Sequence, residues 1–460
     1  MINTRHFAKS LQNKPVAVFG IGRSNLAVIR SLHQAGVAVV AGDDDPVNVA
    51  AAVQAGAQDG LFESDFRQYA CLVLAPGVPF HFPIPHPVVE KARLAGIEII
   101  CDVEIFHRLQ HGRQTVAITG TNGKSTTTAL IGHILNRCGV AAEVGGNIGH
   151  AVLDLDLPPP EGAFVIEMSS YQIDLCPTFS PEIAVHLNLT PDHLDRHGSF
   201  EAYYQTKKNL FRGRGTAIIG IDDDYSERMA AEVKAAGMRD VHTIAINRQI
   251  SGGVYVLDGV LYDAMFAESE KIADLAIETL PGLHNQQNAA AAYAAARTMG
   301  IPPDKIMRAM RSFSGLPHRQ FIVGIQNGIF YINDSKATNA AATEKALACY
   351  ENIFWIVGGR AKEGGLAGLE PYMHRVAGAF VIGEAMADFS SWLKDQQVKT
   401  YECGTLDQAV AQADQVARTQ GKGVVLLSPA CASFDQFKSF EHRGDEFTRL
   451  VKAATGGHHG

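Results

Sequence analysis

Gly120-Thr121-Asn122-Gly123-Lys124-Ser125-Thr126-Thr127 is a run of small residues closed by a lysine and three hydroxyls. That combination binds phosphate. Glycines let the backbone approach an anion, and bare N–H groups at a helix N-terminus favour its charge. In such a loop the lysine reaches the outer phosphates and the following hydroxyl ligates Mg²⁺, which assigns those tasks to Lys124 and Ser125. The loop departs from the general P-loop, because Ile118 stands where that pattern has its first glycine. Counted from Gly120, it is two residues shorter.

Phosphoryl transfer is mostly positioning and charge neutralisation, so metal ligands are expected nearby. Glu167 lies near the end of the apolar run 164–168. His193 follows a second apolar run, 183–187, in Asn188-Leu189-Thr190-Pro191-Asp192-His193-Leu194-Asp195. A carboxylate at the C-terminal end of a parallel strand faces the ligand crevice. Glu167 and His193 therefore read as ligands of a second or a shared Mg²⁺. Asp192 and Asp195 read equally well as caps of the helix that follows.

Two further groups of polar residues sit at strand ends. Gly20-Ile21-Gly22-Arg23-Ser24-Asn25 is a dinucleotide-type fingerprint lacking its third glycine, with Asp43-Asp44-Asp45 about 20 residues on and Ala75-Pro76-Gly77 after the next strand. A nucleotide-like ligand fits there, as does a tight turn with no ligand. Near the C-terminus, residues 333–339, 358–362 and 427–435 each follow an apolar run and together suggest one substrate pocket.

These residues need strands to carry them. Short apolar runs at 16–19, 37–41 and 72–75 alternate with helical stretches at 26–34 and 88–94. The alternation restarts at 116–119, with a helix over 125–137 and strands over 164–168, 183–187 and 216–221. It restarts again after Gly315-Leu316-Pro317, where 321–326 and 329–333 flank Asn327-Gly328, a hairpin turn. Strands follow at 353–357, 379–382 and 424–427. Such βαβ patterning means α/β structure with parallel sheets. The chain reads as three domains: a Rossmann-like N-terminal domain (1–102), a central P-loop ATPase-type domain (103–315) and a Rossmann-like C-terminal domain (316–460).

Composition limits the alternatives. A 460-residue chain with 46% hydrophobic and 19% charged residues supplies several cores. A net charge of −8 disfavours nucleic acid as a partner. Seven scattered cysteines, odd in number and without a C-x-x-C pair, read as reduced thiols of a cytoplasmic protein. Met1–Lys14 lacks an apolar signal core, and no apolar run nears the ~20 residues of a membrane span. Residues 456–460, with His458 and His459, read as a frayed end.

With these motifs in hand, the sequence resembles the Mur ligases over nearly its whole length. Residues 118–127 (ITGTNGKSTT) look like the family's ATP loop. Gly145-Gly146-Asn147-Ile148-Gly149, Leu316-Pro317-His318-Arg319 and LLSPACASFDQFKSFEHRGDEF (426–447) carry the likeness further. The resemblance implies an ATP- and Mg²⁺-dependent, amide-forming ligase of cytoplasmic peptidoglycan precursor synthesis, and so of cell-wall biogenesis, cell shape and division. ATP phosphorylates a terminal carboxylate, and the amine of an amino acid displaces phosphate from the acyl phosphate. The implied substrates are UDP-N-acetylmuramoyl-L-alanine and glutamate, D or L.

Residue roles follow from the same resemblance. Gly120, Thr121, Asn122, Gly123, Lys124, Ser125 and Thr126 hold the phosphates, and Ser125, Glu167 and His193 the metal. Lys207, next to Lys208, matches a lysine the family carries as a carbamate, a form able to bind Mg²⁺. Asn285 and Asn288 match the adenine side, and Arg319 and Asp334 match ATP contacts from the third domain. ATP contacts split between two domains imply closure, which excludes water from an acyl phosphate. Lys336, Thr338, Lys362, Ser433, Phe434 and Phe440 match the glutamate pocket. Arg23, Ser24, Asp43, Pro76, Gly77 and Asn147 match the uridine-nucleotide pocket, although Asn25 and Ala75 depart from its pattern. A monomer is expected. The rival readings are a related ligase acting on folate and a nucleotide-dependent binding protein without turnover.

Overall fold

A computed structural model describes residues 2–109 and 112–455, so the frayed end expected at 456–460 lies outside the described residues. The described chain is α/β with three sheets. By its internal contacts it divides into two compact units, Met1–Leu275 with Leu283–Ser312, and Ala276–Gly282 with Phe313–Gly460.

The first sheet contains β1 (Val16–Phe19), β2 (Val39–Gly42), β3 (Cys71–Leu74) and β4 (Glu98–Ile100) in the order β2-β1-β3-β4, all parallel. β1 and β3 are apolar and buried at every residue because helices cover both faces of such a sheet. The chain leaves β1 toward one side and enters β3 on the other. Residues at the C-terminal ends of these two strands therefore border the crevice where parallel sheets take ligands.

The second sheet, in the same unit, contains β5 (Gln114–Thr119), β6 (Ala142–Gly146), β7 (Ala163–Glu167), β8 (Ile183–His186), β9 (Gly215–Gly220), β10 (Arg239–Ile246), β11 (Gly253–Leu257), β12 (Val260–Asp263) and β13 (Glu270–Asp274). Its order is β13-β12-β11-β10-β9-β8-β5-β7-β6. β6, β7, β5, β8 and β9 are parallel, so their C-terminal ends share one edge. β11–β13 extend the sheet antiparallel, a feature the parallel pattern does not predict. Asp258-Gly259, both at positive φ, make the turn between β11 and β12. Helix Leu283–Thr298 is buried continuously from Gln287 to Ala296. An alanine-rich helix can lie this close to its neighbours on every side.

The third sheet, in the second unit, contains β14 (Phe321–Gln326), β15 (Ile329–Asn333), β16 (Ile353–Gly358), β17 (Val376–Ile382), β18 (Thr400–Gly404) and β19 (Gly423–Leu427), in the order β14-β15-β19-β16-β17-β18. β14 and β15 pair antiparallel around Asn327-Gly328, whose φ values of 52° and 78° suit the expected hairpin. β15, β19 and β16 are parallel neighbours. Separate apolar clusters built around Trp355 and around Phe354 and Phe380 fill the two faces of the sheet. No helix among the described residues is long and apolar enough to cross a membrane.

Candidate active site

At the first crevice, Arg23 is exposed at the start of helix Arg23–Gln34. Ser24 faces Asp102, whose fully buried carboxyl is pushed up by desolvation. Asn25, in place of the fingerprint's last glycine, donates from Nδ2 to Phe19 O (3.0 Å) and Gly20 O (2.9 Å). Its amide thus pins the strand end that a glycine would leave loose. Asp43 accepts from Ile21 N, Asp45 N and Asn48 Nδ2. Burial works against its charge, but these bonds hold its carboxyl below the usual range. Pro76 is half-buried and Gly77 exposed on the loop after β3.

The second sheet carries the candidate phosphate residues. β5 runs into the loop, and helix Lys124–Arg137 begins directly after Gly123. Asn188, beyond β8, supports the loop: its carbonyl accepts from Thr121 N (2.9 Å) and its Oδ1 from Asn122 N (2.9 Å). Lys124 Nζ donates to Gly120 O (2.9 Å) and Thr121 O (2.8 Å), so its ammonium lies over the loop. Ser125 is buried and Thr126 half-buried in the first turn of the helix.

Glu167 ends β7, beside β5, and is buried. Its Oε1 accepts from Asn147 Nδ2 at 2.7 Å, while Oε2, shut off from solvent, has no partner among the described residues. Asn147 follows β6, the next strand over, and is held to Glu167 O through its own N–H (3.0 Å). A buried carboxylate oxygen left without a donor suits a cation. Among the described residues, no three His, Cys, Asp or Glu side chains converge as a metal-binding group.

Lys207 and Lys208 take different directions from helix Phe200–Lys208. Lys208 pairs with Glu232 on the surface at 2.8 Å. Lys207 is buried, donates to Gly120 O (2.9 Å) and Thr119 Oγ1 (3.2 Å), and lies 4.8 Å from the centre of the Tyr203 ring. Burial, and then the charge of Lys124, push its ammonium well below the usual lysine range. His193 is exposed, in a left-handed conformation at the start of the turn Leu194–His197. Neither Asp192 nor Asp195 caps that turn; Asp192 instead accepts from His193 N and lies 3.4 Å from its Nε2.

Asn285 and Asn288 are buried between helices. Asn288 Nδ2 donates to Asn285 Oδ1 (3.0 Å), and Asn288 Oδ1 accepts from Thr127 Oγ1 (3.2 Å). Both thus brace the helix that follows the phosphate loop.

The second unit holds the remaining candidates at the ends of the neighbouring strands β15, β19 and β16. Asp334 is buried and accepts from Ser428 Oγ (2.8 Å) and Gln320 N (3.2 Å). Burial pushes its carboxyl up to about 7, against these bonds and the charge of Arg319. Arg319 is half-buried next to it. Lys336 Nζ lies 4.1 Å from the centre of the Phe440 ring, which brings two glutamate-pocket candidates together. Ser433 is buried and Thr338 half-buried, whereas Lys362 and Phe434 stand exposed on the loops after β16 and β19.

Several residues that position the site escaped the sequence reading. Asn188 stood in the motif around His193 but gave no sign of its reach to the phosphate loop. His186, pushed down to about 3 by burial, stands 3.0 Å from Ser226 Oγ. Ser226 donates to Asp223, which also accepts from Leu189 N, and so the segment leading to His193 is anchored. Arg443 is buried and donates to Ser335 Oγ, Ser335 O and Cys431 O, joining the loops after β15 and β19. Its place in the 426–447 stretch was the only available signal.

Residues 118–296 match the family model of the Mur ligase middle domain. Over 454 residues the chain is 46% identical to the UDP-N-acetylmuramoylalanine–D-glutamate ligase of Paramagnetospirillum magneticum, covering 96% of this chain and 97% of that one. It is 48% identical over 457 residues to the protein of the same name from Rhizobium meliloti, covering 97% and 98%. Among solved structures, it resembles the UDP-N-acetylmuramate–alanine ligase MurC of Thermotoga maritima (TM-score 0.60, 17% identity, 96% and 100% covered). MurF of Acinetobacter baumannii is similar to the same degree (TM-score 0.60, 17% identity, 98% of each chain).

Proposed function

This chain belongs to the Mur ligase family, and from that premise we propose that it is an ATP-dependent ligase joining D-glutamate to UDP-N-acetylmuramoyl-L-alanine in cytoplasmic peptidoglycan precursor synthesis. The observation that carries the ATP half is the meeting of Lys124 and Lys207 at the Gly120 carbonyl, beside a strand ending in a buried, half-satisfied Glu167. The substrates come from the names of relatives 46% and 48% identical.

In this reading residues 1–102 take the uridine nucleotide, 103–315 take ATP, and 316–460 take glutamate and add contacts to ATP. Arg23, Ser24, Asp43, Pro76, Gly77 and Asn147 bind the uridine-nucleotide substrate. The backbone of Gly120–Gly123 cradles the phosphates, and Lys124 exchanges its loop carbonyls for the transferring phosphoryl group. Asn285 and Asn288 lie on the adenine side, and Arg319 and Asp334 contact ATP. Ser125, Glu167, His193 and Lys207, the last as its carbamate, would hold Mg²⁺; the Oε2 of Glu167 fits that role. Bound Mg²⁺ supplies charge neutralisation at the phosphoryl oxygens. Lys336, Thr338, Lys362, Ser433, Phe434 and Phe440 orient glutamate so that its amine attacks the acyl phosphate and phosphate leaves. The enzyme acts as a monomer.

The test is phosphate release in the presence of ATP, Mg²⁺ and UDP-N-acetylmuramoyl-L-alanine, with D- and L-glutamate supplied separately. Turnover with D-glutamate is expected. No release with either isomer would overturn the reading.

A further inference from the structure

The turn that carries His193 is fastened to the loop after β3. Arg196 donates from Nη1 to Gly77 O (2.7 Å) and from Nη2 to Val78 O (2.8 Å). Four residues on, Phe82 packs against Gly198: a Cβ on that glycine would stand 3.2 Å from the ring. His81 Nε2 lies 3.5 Å from Asp174 Oδ2, at the end of the helix Ser170–Asp174 that follows β7, so the same loop also reaches a second segment of that sheet. One loop of the first sheet is thus held at two points to this turn of the second and at a third to the helix Ser170–Asp174.

Arg196 also faces inward. Its guanidinium lies 4.9 Å from the centre of the Tyr171 ring. That ring is 5.0 Å from the ring of His193 and stacks on His197 at 5.5 Å. His197 is 5.2 Å from the ring of Tyr203, whose hydroxyl is 3.2 Å from Thr121 Oγ1. Lys207 stands over the same Tyr203 ring. An unbroken set of contacts therefore runs from the Gly77 and Val78 carbonyls to His193 and to the phosphate loop.

The chemistry of the contact calls for arginine. Two successive carbonyls are bound by one rigid, planar fork, and the face of that fork rests on an aromatic ring. An ammonium is a point charge and cannot hold both carbonyls in one direction. The Nε of Arg196 is buried and has no partner among the described residues. Placing that donor out of water is unfavourable, and the fork and the ring contact offset it.

We propose that Arg196 is a positioning residue that couples two ligands: by holding the Gly77 and Val78 carbonyls with its edge and Tyr171 with its face, it makes binding of the uridine-nucleotide substrate and of the Mg²⁺–nucleotide favour one another. The inference rests on the function proposed above. Each ligand orders the segment it touches, and because Arg196 joins the segments, the first ligand lowers the ordering cost for the second. Coupling of this kind is reciprocal, so the factor is the same whichever ligand is added first.

The experiment is calorimetric titration of the full chain with UDP-N-acetylmuramoyl-L-alanine, with and without a saturating non-hydrolysable ATP analogue and Mg²⁺. The unaltered protein is expected to bind the uridine substrate about tenfold more tightly with the analogue present, within the usual range of coupling. In Arg196→Lys and Arg196→Met that ratio should fall to within about twofold of unity, while the analogue alone still binds within about threefold of normal. A purely structural role would weaken each ligand separately and leave the ratio intact. Tyr171→Phe should keep the ratio and Tyr171→Leu should lose it, which covers the case of a poorly folded Arg196 variant.

An unaltered ratio in the Arg196 variants, or a ratio of one in the starting protein, overturns the inference. Where the starting protein turns over its substrates in that event, the proposed function stands and only the coupling falls. Failure of the starting protein to bind the uridine substrate at all overturns both.

Discussion

Lys124 and Lys207 donate to the same oxygen, the carbonyl of Gly120, each at 2.9 Å. Two ammonium groups on one acceptor repel each other, and the more buried one yields its proton more readily. Lys207 is that one: burial first, then Lys124, push it well below the usual lysine range. A neutral amine can attack carbon dioxide, forming an N–C bond and releasing a proton, whereas an ammonium cannot. Lys207→Ala is therefore expected to lose at least ~100-fold in turnover, as for loss of a charge-positioning group. Short carboxylic acids should restore part of it. Carbon-13-labelled bicarbonate should give a carbamate resonance that the variant lacks. Full activity of Lys207→Ala without added acid would end the carbamate proposal.

Glu167 offers one oxygen to Asn147 and leaves the other without a donor. Glu167→Gln keeps the shape but brings an N–H₂ group and no charge. The Mg²⁺ concentration giving half-maximal turnover should rise about tenfold or more, in line with removal of one carboxylate ligand. Turnover with an unchanged Mg²⁺ requirement in Glu167→Gln would remove Glu167 from the metal site.

Asp334 is the buried carboxyl of the second unit, raised to about 7 by desolvation. Unfolded, it ionises near ~3.9. Between those values the folded state binds more protons than the unfolded state, so its contribution to stability falls as pH rises and is lost above about 7. Asp334→Asn carries no such titration. Relative to the starting protein, the variant should gain on the order of 2 kcal/mol between pH 5 and 7.5, the linkage expected for a group of this kind. Both tryptophans, Trp355 and Trp392, lie in the second unit, and Trp355 donates to the carbonyl of Ser428, Asp334's own partner. Urea unfolding followed by tryptophan fluorescence thus reads this unit directly. A difference that stays constant with pH would show that Asp334 is ionised throughout.

Local patterns in the sequence were enough for the parallel strands, because a strand buried on both faces must be apolar along its length. The hairpin at Asn327-Gly328 was legible because few other pairs take positive φ twice in succession. Asp258-Gly259 carries the same signal and marks β11–β12, but this antiparallel pair lies outside the βαβ rhythm that organises the rest of the sheet. Of the candidate site, the sequence offered the residues whose type announces chemistry, such as Lys124, Glu167 and His193. It hid the ones whose role depends on distant carbonyls. Arg196 binds residues 118 and 119 positions away, and nothing local separates it from a surface arginine. Asn25 read as a defect in a glycine fingerprint, whereas its amide replaces flexibility with two hydrogen bonds.

Gly123 joins the phosphate loop to its helix with φ +83°, and a Cβ there would stand 2.2 Å from Asn288 Oδ1. Asn288 has little freedom to withdraw, since Thr127 and Asn285 hold its two polar ends. Gly123→Ala thus faces two separate costs. The left-handed conformation alone costs an alanine roughly 1–2 kcal/mol. Crowding against Asn288 then displaces the loop, and misplacement by about 1 Å can cost ~100-fold in rate. Gly139 isolates the first cost: its φ is +88°, and no atom lies within 4 Å of its added Cβ. Gly139→Ala should therefore lose stability of about the same 1–2 kcal/mol and keep normal nucleotide affinity. Gly123→Ala should retain its far-ultraviolet circular dichroism yet bind an ATP analogue at least about tenfold more weakly. Equal nucleotide affinities in the two variants would mean that Asn288 yields to the methyl group and does not set the position of the loop.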